Sequence, residues 1–122
     1  MTGLLERLDR DVVLSAEGYL FELERRGYVK SGPYVPEAVL DFPDAVREIH
    51  REFLRAGAEV MVAFTYYGHR EKLRMIGREQ DLEPLNRNAL RLAKDAVRRF
   101  ARDGEHGPAR GPRPDHHRAR RR

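Results

Sequence analysis

The stretch VVLSAEGYLFELERRGY, residues 12–28, changes character at its middle. Val12, Val13 and Leu14 form an unbroken apolar run, the pattern of a strand buried on both faces. From Tyr19 onward, Tyr19, Leu20 and Leu23 recur near helical spacing, with Glu22, Glu24, Arg25 and Arg26 directed elsewhere. Gly27 is a natural C-terminal stop for that helix. Between strand and helix lies the turn Ala16-Glu17-Gly18. In α/β enzymes the turn leaving the carboxyl end of a strand is where ligands bind, so Glu17 is a candidate site residue.

Working outward, GLLERLDR (residues 3–10) sets Leu4, Leu5 and Leu8 on one helical face and predicts a short leading helix. Downstream, SGPYVPE is a loop, broken by Gly32-Pro33 and Pro36. PEAVLDF predicts a short helix opened by Pro36. Pro43 opens a longer one, on which Val46, Ile49, His50, Phe53, Leu54 and Gly57 share a stripe. Residues 60–64, VMVAF, repeat the continuous apolar strand pattern, and Gly68 punctuates its end. HREKLRMIG predicts another short helix. From Leu82 a long helix carries Leu85, Ala89, Leu92, Ala93, Ala96, Val97 and Phe100 on one side. Continuous strands alternating with helices predict an α/β fold with a parallel sheet of βα units.

The chain holds 24 basic and 20 acidic residues in 122, a net charge of +4. From Arg102 onward there are seven arginines against Asp103, Glu105 and Asp115, so this tail accounts for the whole excess and residues 1–101 are neutral. After Ala101 the only apolar residues are Ala109 and Ala119. A third strand is due there; an Arg/Pro/Gly/His-rich segment arrives instead, and disorder is expected over residues 102–122. Such a tail is what an early stop or frameshift in a GC-rich gene produces. There is no cysteine, hence no disulfide and no thiolate ligand or nucleophile. No apolar run approaches the roughly 18 residues that cross a bilayer, and no signal-peptide pattern opens the chain. No membrane partner and a cytoplasmic location are the expectation.

Residues 18–73 carry a family resemblance. LERRGYVKSGP, PEAV, HREFLRAGAEVM and FTYY…EKL resemble the amino-terminal part of homocysteine S-methyltransferases, most closely the betaine–homocysteine branch, over roughly residues 3–101. The resemblance implies a (β/α)8 TIM barrel whose active site lies at the C-terminal ends of its strands. It implies transfer of a methyl group from betaine or a similar donor to the thiol of homocysteine. It also implies a zinc ion, held by three cysteines far downstream, that activates the thiol as a thiolate. A complete barrel takes about 250 residues, so this chain is expected to supply only the first βα units (residues 1–101), a truncated form without catalytic residues and without a zinc site of its own.

The carry-over to single residues is partial. The family pattern after the first strand is Asp-Gly-Gly, and this chain reads Ala16-Glu17-Gly18. The resemblance implies substrate contact for Glu17 and Gly18. It places Tyr34 where the betaine branch has a donor-pocket Trp, and matches Tyr67 to a donor-pocket Tyr; aromatic faces suit a quaternary ammonium through cation–π attraction. Each residue also has a plainer reading. Glu17 is an acid at a helix start, favoured by the dipole; Tyr34 and Tyr67 are ordinary half-buried aromatics. Tyr19 and Tyr66 read as packing residues, His50 as a satisfied core histidine, and His69 as a capping or solvent-facing one. His116-His117 is poor metal-ligand geometry. A second function class stays open: a small helical interaction module with a basic nucleic-acid-binding arm, its exposed strand edges covered by a partner or a homodimer. The arm lacks the aromatics that stack on bases, so nucleic acid is not the expected partner.

Overall fold

In the computed structural model, residues 3–28 and 37–105 are described. Six helices carry the structure: α1 (Leu4–Arg10), α2 (Tyr19–Arg25), α3 (Ala38–Asp41), α4 (Pro43–Arg55), α5 (Arg70–Met75) and α6 (Leu82–Arg102), with a 3-10 turn at Glu79–Asp81 before α6.

The boundaries follow local chemistry. Past the end of α2, Gly27 turns left-handed (φ 82°). Its N–H donates to Glu24 O at 3.0 Å, and the Tyr28 N–H donates to Leu23 O at 2.9 Å. These two bonds satisfy carbonyls the helix would otherwise strand, the arrangement a glycine past a helix end permits. Helix α4 opens with Pro43 in its first turn and Asp44 beside it, and closes with Arg55, so charge complements the dipole at both ends.

The α4 stripe is buried where the spacing places it, at Val46, Ile49, His50 and Leu54. It packs on α6, whose own buried row is Leu85, Ala89, Leu92, Ala93 and Ala96. The three alanines let the two helices approach closely. Leu23 of α2, Val39 of α3 and Phe64 complete this main core. Each fully buried Leu, Ile or Val side chain in it contributes about 1.5–3 kcal/mol. A second, smaller cluster forms where Leu73 of α5 meets Leu85, flanked by Leu40, Ile76 and Leu82. Arg78 ties it down, donating to both carboxylate oxygens of Asp41 (2.7 and 3.1 Å) and through Nε to Asp81 (2.6 Å).

The two strand segments differ from expectation. Residues 12–16 and 60–64 lie side by side and parallel, but they meet at a single bridge, Ser15 with Val60, and no continuous ladder forms among the described residues. The Val60 N–H donates to Leu14 O (3.1 Å), and the Ala16 N–H donates to Val60 O (2.9 Å). Glu59 reinforces the junction: its carboxylate accepts the Leu14 N–H and pairs with Arg7 of α1. A parallel sheet is stable when neighbours and helices cover both faces, and two strands alone are marginal. Val12 and Leu14 are 54% and 48% exposed, so the run that reads as doubly buried has no such cover here. The described part is therefore mostly helical with one parallel bridge. At the other end, α6 runs through Arg102, and Glu105 accepts from Arg51 (2.6 Å) and Arg55 (2.8 Å) of α4. The rest of the expected tail, residues 106–122, lies outside the described residues.

Candidate functional site

Because the two extended segments run parallel, their carboxyl ends open on the same side. A cavity of about 330 Å³ lies there, lined by residues 16–21 from the first segment and α2, and by Val62, Ala63, Phe64 and Tyr66 from the second. Glu17 and Gly18 are thus both at its wall. Gly18 has φ 86° and ψ 18°, a left-handed conformation that costs a residue with a side chain roughly 1–2 kcal/mol. A Cβ there would meet nothing within 4 Å. Glycine is therefore favoured here by the backbone conformation of the turn before α2 rather than by packing. Glu17 is exposed and is one of the residues that line the cavity.

Tyr66, read from sequence as a packing residue, is half exposed and lines this cavity. The signal that marks it is position: it stands at the end of the second segment as Glu17 stands at the end of the first. Tyr67 is not at the cavity wall. Its ring lies tilted by 34° against that of Tyr66, centroids 4.2 Å apart, and a hydrogen bond to Tyr67 pushes the Tyr66 phenol above its ordinary range. Tyr67 itself has φ 58°, and the Lys72 ammonium sits 4.7 Å from its ring centroid. One face of that ring therefore already carries a cation. His69, next along, is exposed at the start of α5 without a side-chain cap bond. Tyr34 lies outside the described residues, as do His116 and His117.

Behind the cavity wall, Tyr19 reaches into the core. Its hydroxyl is 2.9 Å from His50 Nδ1 and 3.0 Å from Met61 Sδ. Tyr19 also meets the rings of Phe53 and Phe64, both centroids within 6 Å. Burial pushes the Tyr19 phenol up and the His50 imidazole down to about 4. Both stay neutral at ordinary pH, and they stiffen the wall rather than exchange protons. His50 Nε2 is buried without a hydrogen-bond partner. An orphan acceptor is less costly than an orphan donor, which favours the tautomer with Nδ1–H donating to Tyr19 and the Tyr19 hydroxyl donating to Met61.

A second groove of about 300 Å³ runs between α4 and α6. It is lined by Arg47, Arg51, Arg99 and Arg102 and by Asp44, Glu48, Asp95, Asp103 and Glu105, and several of these charges are committed to one another, so its net charge is small and negative. Zinc does not fit the residues present: the chain has no cysteine, and the described residues hold no group of three His, Cys, Asp or Glu suited to a metal.

The model of the family described as homocysteine S-methyltransferase matches residues 17–113 of this chain. The chain belongs to that family. The match begins at Glu17, at the cavity wall, and runs past Ala101, so family likeness does not stop where the apolar pattern does. Among similar proteins, betaine–homocysteine S-methyltransferase 1 of Xenopus laevis is 47% identical over 104 residues, covering 84% of this chain and 26% of the frog protein. The pig (Sus scrofa) protein of the same name is 44% identical over 104 residues, with 84% of this chain and 37% of the relative covered. The zebrafish (Danio rerio) one is 46% identical over 98 residues, or 78% and 24%. The chain thus spans about a quarter to a third of the length of these relatives, and the likeness is to the betaine branch of the homocysteine S-methyltransferases. Among the described residues, no helix is long and apolar enough to cross a membrane.

Proposed function

We propose that this chain supplies the first βα units of a homocysteine S-methyltransferase barrel and, with them, part of its substrate rim. In a parallel βα architecture the carboxyl ends of the strands form the reactive side, and the cavity lies at those ends in this chain. In the complete catalytic unit the homocysteine sulfur attacks an N-methyl carbon of a betaine-type donor. The S–C bond forms as the C–N bond breaks, and the electron pair leaves with the tertiary amine. Residues of this chain do not perform that exchange; they hold its participants.

Glu17 and Gly18 serve the acceptor amino acid. The exposed Glu17 carboxylate is matched to an α-ammonium group, and the backbone at Gly18 admits close approach. Family likeness assigns Tyr34 and Tyr67 to the donor's methylated ammonium, which an aromatic face attracts, while Tyr66 is the tyrosine that lines the cavity in this chain. Activation of the thiol by zinc belongs to residues outside this chain, so the chain alone is expected to bind and not to turn over.

The observation that carries this reading is the convergence of Glu17, Gly18 and Tyr66 on one cavity at the shared end of the two parallel segments. Calorimetric titration of the 122-residue protein with homocysteine and with betaine tests it. Saturable heat with homocysteine that weakens in Glu17→Gln supports the reading. Absence of heat with both ligands, or methyl transfer by the chain alone in the presence of zinc, contradicts it.

A further inference from the structure

The second extended segment ends in a tight turn. The Gly68 N–H donates to Thr65 O at 2.7 Å, which puts Tyr66 and Tyr67 at the centre of a four-residue turn. Tyr67, third in it, is the only non-glycine residue with positive φ among the described residues, at 58°. Turns with a left-handed third residue favour glycine or asparagine there. A bulky side chain keeps such a conformation only where its surroundings impose it. Lys72, 4.7 Å from the Tyr67 ring centroid, restrains the ring but not the backbone. The backbone restraint lies on α6. Asn86 follows Leu85 and precedes Ala89 by three residues, and both of these are fully buried, so the core fixes its place. Its Nδ2 donates to Gly68 O at 2.7 Å and to Leu82 O at 2.8 Å. Both partners are carbonyl oxygens, so only the nitrogen end of the amide can face them, and both of its hydrogens are used. The bond to Leu82, four residues back in the same helix, fixes the side chain. The bond to Gly68 passes that order on to the turn. Gly68 is buried, so its carbonyl must find its partner within the protein.

We propose that Asn86 is a positioning residue for the candidate site: its hold on Gly68 fixes the turn at residues 65–68 in the conformation that sets Tyr66 on the cavity wall. Asn86 itself does not line the cavity, so it acts through the turn. The same helix carries its own control. Asn88 Nδ2 donates to Val39 O at 2.7 Å, a bond of the same kind from the same face of structure to backbone. That bond ties down α3, which contributes nothing to the cavity wall. The two asparagines therefore separate stability from site geometry: each removes one side-chain-to-carbonyl bond when truncated, and only one of them reaches the site. The effect on ligand rests on the reading of the cavity as the acceptor site, whereas the effect on the turn does not.

Magnetic resonance and calorimetry on the full chain, read with Asn86→Ala and Asn88→Ala, test it. Asn86→Ala is expected to speed amide exchange at Gly68, whose N–H closes the turn, by about tenfold. Cross-relaxation between the Tyr66 and Tyr67 rings, whose centroids lie 4.2 Å apart, is expected to fall. Homocysteine is expected to bind about fivefold more weakly. Asn86→Asp keeps the side-chain shape and loses the donor, and is expected to follow Asn86→Ala. Asn88→Ala is expected to lower the urea midpoint by a similar amount, with Gly68 exchange, the ring contact and homocysteine affinity unchanged. Unchanged Gly68 exchange in Asn86→Ala, or the same changes in Asn88→Ala, overturns the positioning role. A loosened turn with undiminished homocysteine affinity leaves Asn86 a purely structural residue and overturns it as well. An unmutated chain that binds no homocysteine contradicts the reading of the cavity instead, and the two turn measurements then decide the role of Asn86 by themselves.

Discussion

The Tyr19 hydroxyl lies 2.9 Å from Nδ1 of His50, with Met61 Sδ 3.0 Å from the same hydroxyl, so a residue of the cavity wall is anchored on a histidine with no exposed surface. Burial lowers the His50 pKa from 6.5 to about 4. The unfolded chain therefore takes up a proton near pH 6.5 that the folded chain refuses until near pH 4. Stability is full above that window and falls as pH drops through it. Urea unfolding at pH 7 and pH 5 is expected to show a loss of about 2 kcal/mol. His50→Leu removes most of that difference; an equal loss in the variant would place its origin elsewhere.

Gly18 sits left-handed at the start of α2 with open space around its Cα. Gly18→Ala is expected to destabilise by about 1 kcal/mol through backbone strain alone, and Gly18→Asn by less, because asparagine tolerates this region better. Denaturant midpoints of the two variants check the order. Equal effects would point to packing rather than conformation.

Arg78 joins Asp41 to Asp81 across the smaller core cluster, and both partners hold its guanidinium charged. Arg78→Met keeps the stem and removes three charge-assisted bonds. At this part-exposed site the expected cost is about 1–2 kcal/mol, read as a lower urea midpoint that high salt partly mimics in the unmutated protein.

Lys72 occupies the face of Tyr67. If Tyr67 receives a methylated ammonium, Lys72 competes for that face with like charge. Lys72→Met is then expected to tighten betaine binding by about two- to fivefold, the worth of an exposed cation–π contact. Calorimetric titration reads it; unchanged affinity would remove Tyr67 from the donor pocket.

How far the sequence led depends on the kind of contact involved. The α4 stripe and the α6 row were legible because a 3.6-residue period in the chain is a face in space, and Val46, Ile49, His50, Leu85 and Leu92 are buried accordingly. His50 as a core histidine was readable for the same reason. The strands were legible as runs but not as a sheet. Val12 and Leu14 carry the composition of doubly covered residues, and composition is silent on whether the cover exists within these 122 residues. Tyr66 was missed because adjacent tyrosines at a strand end are equivalent in sequence. Backbone direction separates them, putting Tyr66 on the cavity and turning Tyr67, in the left-handed region, toward Lys72. The reach of Glu105 back to Arg51 and Arg55 crosses half the chain and left no local trace in a segment that otherwise reads as a solvated tail.

The most direct test of the central claim, that the shared end of the two parallel segments is a substrate rim, is an amide chemical-shift titration of the 122-residue protein with homocysteine. Saturable shifts confined to residues 16–21 and 62–66, and reduced by Glu17→Gln, are the predicted result. Shifts elsewhere, or none at saturating ligand with the fold intact, would contradict it.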